Sequence, residues 1–166
     1  MLYLGRFILE YIPYEDIPYF RTCEAAVKET GLQLVELQVI PQRGSVHVTA
    51  VIARSGTEDV SVSDCSKAHH ALQPVVLALL QEERDNITED DISMEVCSPG
   101  TERNIKNAAE FELFKGREIR VWDRNVGDWV KGVIRGSSQE AVTLAADGGD
   151  VSIQYADIAK AKFIHN

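Results

Sequence analysis

Cysteine is scarce in this sequence, and what there is does not pair: Cys23, Cys65 and Cys97 form an odd, widely spaced set. That excludes a disulfide framework and a paired Cys-x-x-Cys zinc site, and leaves reduced structural thiols, as in a cytoplasmic protein. The eleven glycines never fall into G-x-G-x-x-G or G-x-x-x-x-G-K-S/T, so no loop for cradling phosphate is written in the chain. Long apolar runs are missing too. The opening MLYLGRFILEYIPY is short of the roughly 20 residues a membrane span needs. It also lacks a basic start followed by a small-residue cleavage site, so neither a span nor a secretory leader is expected. Positive charge is in deficit, with 17 Lys+Arg against 26 Asp+Glu and a net charge of −9. Indiscriminate binding to phosphate backbones normally needs a basic protein, so the balance argues against it and favours a basic protein partner.

What is present is the composition of a folded soluble protein, 45% hydrophobic and 26% charged. The acid is unevenly spread. Residues 1–109 hold 9 basic and 17 acidic side chains, whereas residues 110–166 hold 8 and 9. Two modules with different contact surfaces follow from that asymmetry.

The hydrophobic pattern predicts an α+β chain. Asp16 and Pro18 read as the start of a helix carrying Phe20, Cys23, Ala26 and Val27, and Gly31 as its stop. Residues 32–40 alternate around Val35, Leu37 and Val39, 41–44 form a turn, and 46–53 form a second strand with Val46, Val48, Ala50 and Ile52 on one face. Ser61 or Ser63 caps a second helix with Cys65, Ala68, His69, Leu72 and Val76 on one side. Pro74 predicts a break or kink near 70–74. After an acidic stretch over 82–91, residues 92–97 are a strand with Met94 and Val96 facing in. The first module therefore reads α-β-β-α-β, one face of a small sheet under two helices. Ser98-Pro99-Gly100 ends it, and 101–115 reads as a polar connection with a short turn around 108–114. Five short strands (118–122, 129–135, 141–145, 151–154 and 159–164) then suggest a small closed β-barrel. The expected divisions are a lead segment 1–16, an α/β module 17–98, a connection 99–115 and a barrel 116–166.

No constellation points to catalysis, a metal or a cofactor. Cys65 and His69 are helix neighbours, but no orienting third group is recognisable, and a packed helix face is the simpler reading. His69 and His70 project about 100° apart and chelate poorly; His47 lies opposite Val46 and Val48. At Ser98-Pro99-Gly100, Pro fixes one backbone angle and Gly frees another, and Glu102 and Arg103 follow. This is either a turn joining two modules or a rigid loop offering Glu102 and Arg103 to a partner. In the second module Arg117, Arg120, Arg124, Lys131, Arg135, Lys160 and Lys162 lie among strands carrying Trp122 and Trp129. Cations interleaved with aromatics can stack bases, but large aromatics dominate small cores, and the core reading is favoured for both tryptophans.

The run MEVCSPGTER resembles the LEVSSPG-x-D/E-R signature of the RimP family of ribosome maturation factors. Four further landmarks agree in order: ETGLQLVELQV, VSVSDCSKAHHAL with its Asp64-Cys65 pair, FELFKGREIRV and YADIAKAKF. The resemblance covers roughly residues 17–164. Departures are Thr101 in place of a leucine, Asn104-Ile105 in place of Pro-Leu, and Ala53 in place of an acidic residue. The resemblance implies a KH-like first domain, an Sm-like or SH3-like barrel, no enzymatic activity and no cofactor. It further implies transient binding to the free 30S subunit during late assembly, near the decoding region. A small basic ribosomal protein is the expected contact, largely through the barrel, with 16S rRNA as a further one. Ser98, Pro99, Gly100, Glu102 and Arg103 are the loop expected to set domain orientation or touch the subunit, Asp64 is expected to cap the second helix or join that surface, and Arg117, Arg120, Arg124, Lys131 and Arg135 are the expected barrel contacts. On this reading Arg103→Ala weakens subunit binding and hardly changes thermal stability. Two rival readings remain: an RNA-binding module, although residues 17–97 lack the G-x-x-G loop of a KH domain, and an enzyme modifying a ribosomal component, which would need a cofactor loop or nucleophile that the sequence does not show.

Overall fold

The computed structural model describes residues 9–55 and 58–164. They form two compact units, Tyr14–Pro99 and residues 100–164 together with 9–13.

In the first unit a 3-10 turn over Tyr14–Asp16 precedes helix α1, Phe20–Lys28. The helix expected from Asp16 thus begins later, after Tyr19 has taken a left-handed conformation with φ 67°. Such a backbone costs on the order of 1–3 kcal/mol in a non-glycine residue. In return the turn stacks Tyr14 on Phe20, ring centroids 4.2 Å apart and planes within 7°, with both side chains buried. Burying two rings contributes more than the strain costs. Gly31, at φ 84°, stops the helix as expected.

Strands β1 (Gln33–Gln42) and β2 (Ser45–Ala53) pair antiparallel around a tight turn at Gly44. A register shift between Leu34 and Glu36 lets both Leu34 and Val35 be buried, which strict alternation would forbid. Val46, Val48, Ala50 and Ile52 are all fully buried on β2. Helix α2 (Val62–Glu83) then crosses over, and strand β3 (Ile92–Cys97) returns parallel to β2, giving the order β1-β2-β3. The helix buries Ala68, Leu72, Val76 and Leu80, a 3.6-residue stripe. Of the break or kink expected near 70–74, the break does not occur: α2 is continuous through Pro74. Pro74 is solvent-exposed, so water can satisfy the carbonyl one turn back that loses its amide donor. The α-β-β-α-β order read from the sequence is present.

The second unit holds a one-turn helix α3 (Glu110–Leu113) and strands β4 (Glu118–Asp123), β5 (Asp128–Ser137), β6 (Ala141–Ala146), β7 (Gly149–Gln154) and β8 (Ile158–Phe163). They pair antiparallel in the order β7-β6-β5-β4-β8. The expected barrel is not closed by strand pairing, since among the described residues β7 and β8 form no ladder. A 3-10 turn at Tyr155–Asp157, not a hairpin, joins these two strands and delivers β8 to the far edge beside β4. Tyr155 anchors that turn, its ring stacked on Phe111 and its hydroxyl donating to the Ser138 carbonyl at 2.5 Å.

Residues 101–115 are not the polar connection expected. Ile105, Ala108, Ala109, Phe111 and Phe114 are buried, and Phe114 meets Phe163 edge to face. Part of the lead segment belongs here as well. Leu9 is buried, and Glu10 bridges to Asn107 in parallel. The Asn107 amide accepts from Ile12 N at 2.9 Å and donates to Ile12 O at 2.8 Å. Residues 1–8 of the expected lead lie outside the described residues, and 14–16 belong to the first unit.

Candidate functional site

Asp64 sits at the third position of α2 and closes a capping box with Ser61: its carboxylate accepts from Ser61 N at 2.9 Å, and its own amide donates to Ser61 Oγ at 3.1 Å. The Arg54 guanidinium binds the same carboxylate through both oxygens, at 2.7 and 2.8 Å. Hydrogen bonds from Arg54 and from the Ser61 backbone hold the Asp64 carboxyl well below the ordinary carboxylate value. With its side chain 4% exposed, Asp64 ties the end of β2 to the start of α2. Next to it, burial and the Asp64 charge push the Cys65 thiol up, away from the thiolate a nucleophile needs.

The Ser-Pro-Gly loop falls at the division of the chain, with Ser98 and Pro99 in the first unit and Gly100 in the second. Ser98 is exposed and Pro99 buried. Arg103 does not stand free in solvent as expected. Its guanidinium donates to both oxygens of Glu110, at 2.7 and 3.0 Å, with side-chain exposures of 12% and 1%. Glu102, by contrast, is 90% exposed and lies 3.7 Å from Lys162. Within the signature, then, Arg103 fastens the start of the second unit to α3, while Glu102 faces water.

The five barrel cations part company. Arg117 is buried, its guanidinium 5.8 Å from the ring centres of both Phe114 and Phe163. Arg124 donates to the Ala156 carbonyl at 2.9 Å and so braces the turn before β8. Arg135 pairs with Asp150 on the surface at 2.9 Å. Arg120 and Lys131 share one outer face, as directly opposed residues of β4 and β5, and Arg135 follows Lys131 on the same outward parity of β5. The next pair on that face is Trp122 and Trp129, ring centroids 5.5 Å apart and planes at 86°, with the Arg120 guanidinium 4.6 Å from the Trp129 ring centre. Both tryptophans are half-buried on the outer face, and the core reading fails for both. The signal was available in the alternation: Ile119, Val121 and Asp123 are buried, whereas Arg120 and Trp122 share the opposite parity. On the other side of β4, Lys162 lies opposite Arg120 and Lys160 opposite Trp122.

Among the described residues no group of three or more His, Cys, Asp or Glu side chains is placed to hold a metal ion. No described helix is long and apolar enough to cross a membrane.

The architecture defines a class of protein: a mixed three-stranded sheet under two helices, followed by an antiparallel five-stranded unit. Residues 22–102 match the family model described as the RimP N-terminal domain. A curated relative, the ribosome maturation factor RimP of Borrelia hermsii (strain HS1 / DAH), is 26% identical over 132 residues, spanning 80% of this chain and 84% of the relative. Residues 22–102 thus resemble the RimP N-terminal domain, and both comparisons support the RimP family.

Proposed function

We propose that this protein is a ribosome maturation factor that assists late assembly of the small subunit, binding the free 30S particle transiently near the decoding region. The observation that carries the reading is the family match, which runs through the Ser-Pro-Gly signature and is joined by a relative similar over most of both chains. Binding to an assembly intermediate would shift its population toward a conformation that later proteins accept, after which the factor leaves.

Charge favours a small basic ribosomal protein as one contact. Tyr14–Pro99 holds 6 basic and 15 acidic side chains, a net of −9, while the rest of the chain is balanced at 11 and 11. The resemblance puts that contact on the C-terminal module; the charge distribution favours the N-terminal unit for it. The rival reading, an RNA-binding module acting on structured rRNA, is favoured by one observation, the aromatic and cationic outer face of β4 and β5.

Gradient co-sedimentation with mature 30S, 50S and 70S particles tests the proposal. Comigration with 30S and not with 70S is the expected outcome. No association with 30S at low micromolar concentration would overturn it.

A further inference from the structure

Both tryptophans of this chain lie on one outer sheet face, where a small domain gains nothing by leaving them half in water. Around them the strand register assembles a compact pattern. Across β8, β4 and β5, one row reads Lys162, Arg120, Lys131, and the next reads Lys160, Trp122, Trp129. Val133, 37% exposed, extends the apolar strip along β5, and Val126, 63% exposed, stands at the tip of the β4–β5 hairpin. Lys131 and Lys160 are exposed and have no acidic partner among the described residues. Lys162 is half-buried and near Glu102, and Glu118 and Asp128 are the carboxylates on the adjoining positions of β4 and β5.

We infer that this β8-β4-β5 face binds single-stranded RNA, stacking unpaired bases on Trp122 and Trp129 and seating phosphates on Arg120, Lys131 and Lys160. The occupant follows from the chemistry. Cations gathered on one face of a chain with net charge −9 complement an anion, not the basic partner assigned to Tyr14–Pro99. The paired indoles add an aromatic platform, which an anion without rings would leave unused and which every nucleobase can use. A duplex hides its base faces, so single strands are selected. Arg120, held over Trp129, links the two functions: it orients the indole and sets a cation beside the stacking surface. The small number of cations makes this a weak site that supplements binding elsewhere. It rests on the maturation reading only for the source of the RNA, not for the face itself.

The two indoles are the chain's only tryptophans and hence its own reporters. The test is titration of the intact protein with a mixed-sequence 12-nucleotide RNA, read by tryptophan quenching and by anisotropy of the labelled strand. The same-length RNA duplex, heparin and polyglutamate are run alongside. Quenching by the single strand above all three is expected, with a log–log salt slope of about −2, as three phosphate contacts give. W129A should weaken RNA binding about 5- to 150-fold, and W129F much less. K131E/K160E should flatten the salt slope with both tryptophans intact. A melting curve on each variant separates lost binding from lost fold, and W122F serves if W129A unfolds. Equal binding of heparin would reduce the face to a polyanion patch, and quenching by polyglutamate alone would make it a protein-docking surface; either overturns the proposal. So does unchanged RNA affinity in folded W129A. Loss of 30S comigration with RNA quenching intact would sink the maturation reading alone, and the converse would sink this face alone.

Discussion

Arg103 and Glu110 show how a residue's role is set by where its partner lies. Two short charge-assisted bonds join them, and Glu110 has almost no contact with water. Removing the arginine breaks a buried ion pair, a loss of about 3–5 kcal/mol for such pairs. Arg103→Ala is therefore expected to lower the urea midpoint markedly, the reverse of the outcome expected from the sequence. Arg103→Ala with an unchanged midpoint would show that the guanidinium is dispensable to the fold. Asp64 gives a prediction in pH. Its folded carboxyl titrates below the ordinary value of 3.8, so the unfolded chain takes up the proton first as pH falls. Its contribution is complete above about pH 5 and is lost as pH drops through 3.8 toward the folded value. Asp64→Asn should be less stable than the parent at pH 7, and the gap between them should narrow at pH 3. A constant gap across that range would mean the Arg54 pairing contributes nothing.

At the scale of elements, stability turns on close approaches that single strands cannot reveal. Gly132 lies on β5 opposite Ile119 of β4, and a Cβ there would meet the Ala145 carbonyl oxygen at 2.8 Å and Leu144 Cβ at 2.9 Å. Gly132→Ala forces β6 to shift, and a loss of about 1–3 kcal/mol is expected, read by thermal melting. Gly136, with nothing within 4 Å, should accept alanine with far less effect. Asn107 does comparable work for the lead segment, since one side chain satisfies Ile12 N, Ile12 O and Ala109 N. Asn107→Ala orphans those groups, at about 1–3 kcal/mol for a buried unsatisfied set. Limited proteolysis should then cut before Tyr14 faster than in the parent. Equal cleavage rates would show that Leu9 burial alone holds the segment.

For the whole molecule, charge is partitioned more sharply than total composition suggests. One unit carries the entire net charge of −9, and the other is neutral overall yet presents cations on one sheet face. Glu82, Asp85 and Asp90 are exposed acids of the first unit. Reversing all three to lysine moves the net charge from −9 to −3. If a basic partner docks there, association with 30S at low salt should slow about tenfold, with little change in melting temperature. An unchanged rate would place the acidic surface outside the contact.

The sequence by itself determined the order and type of the elements. Period-2 and period-3.6 burial is a local property, and turn glycines such as Gly31 and Gly44 announce themselves by the φ they must adopt. It also carried the family signature. Only the tertiary structure decided what the signature residues touch. From the sequence Arg103 reads as a presented side chain because Glu110 falls in an expected polar connection; burial of Ile105, Phe111 and Phe114 makes that stretch part of the core. Ring stacking across the turn moved the start of α1, and exposure of Pro74 kept α2 whole. The tryptophans lay between these cases. Their parity with Arg120 and Lys131 was legible, but the general preference of large aromatics for cores weighed against it. The register of β4, β5 and β8, a set of long-range pairings that no local pattern encodes, decided that they face outward beside the cations.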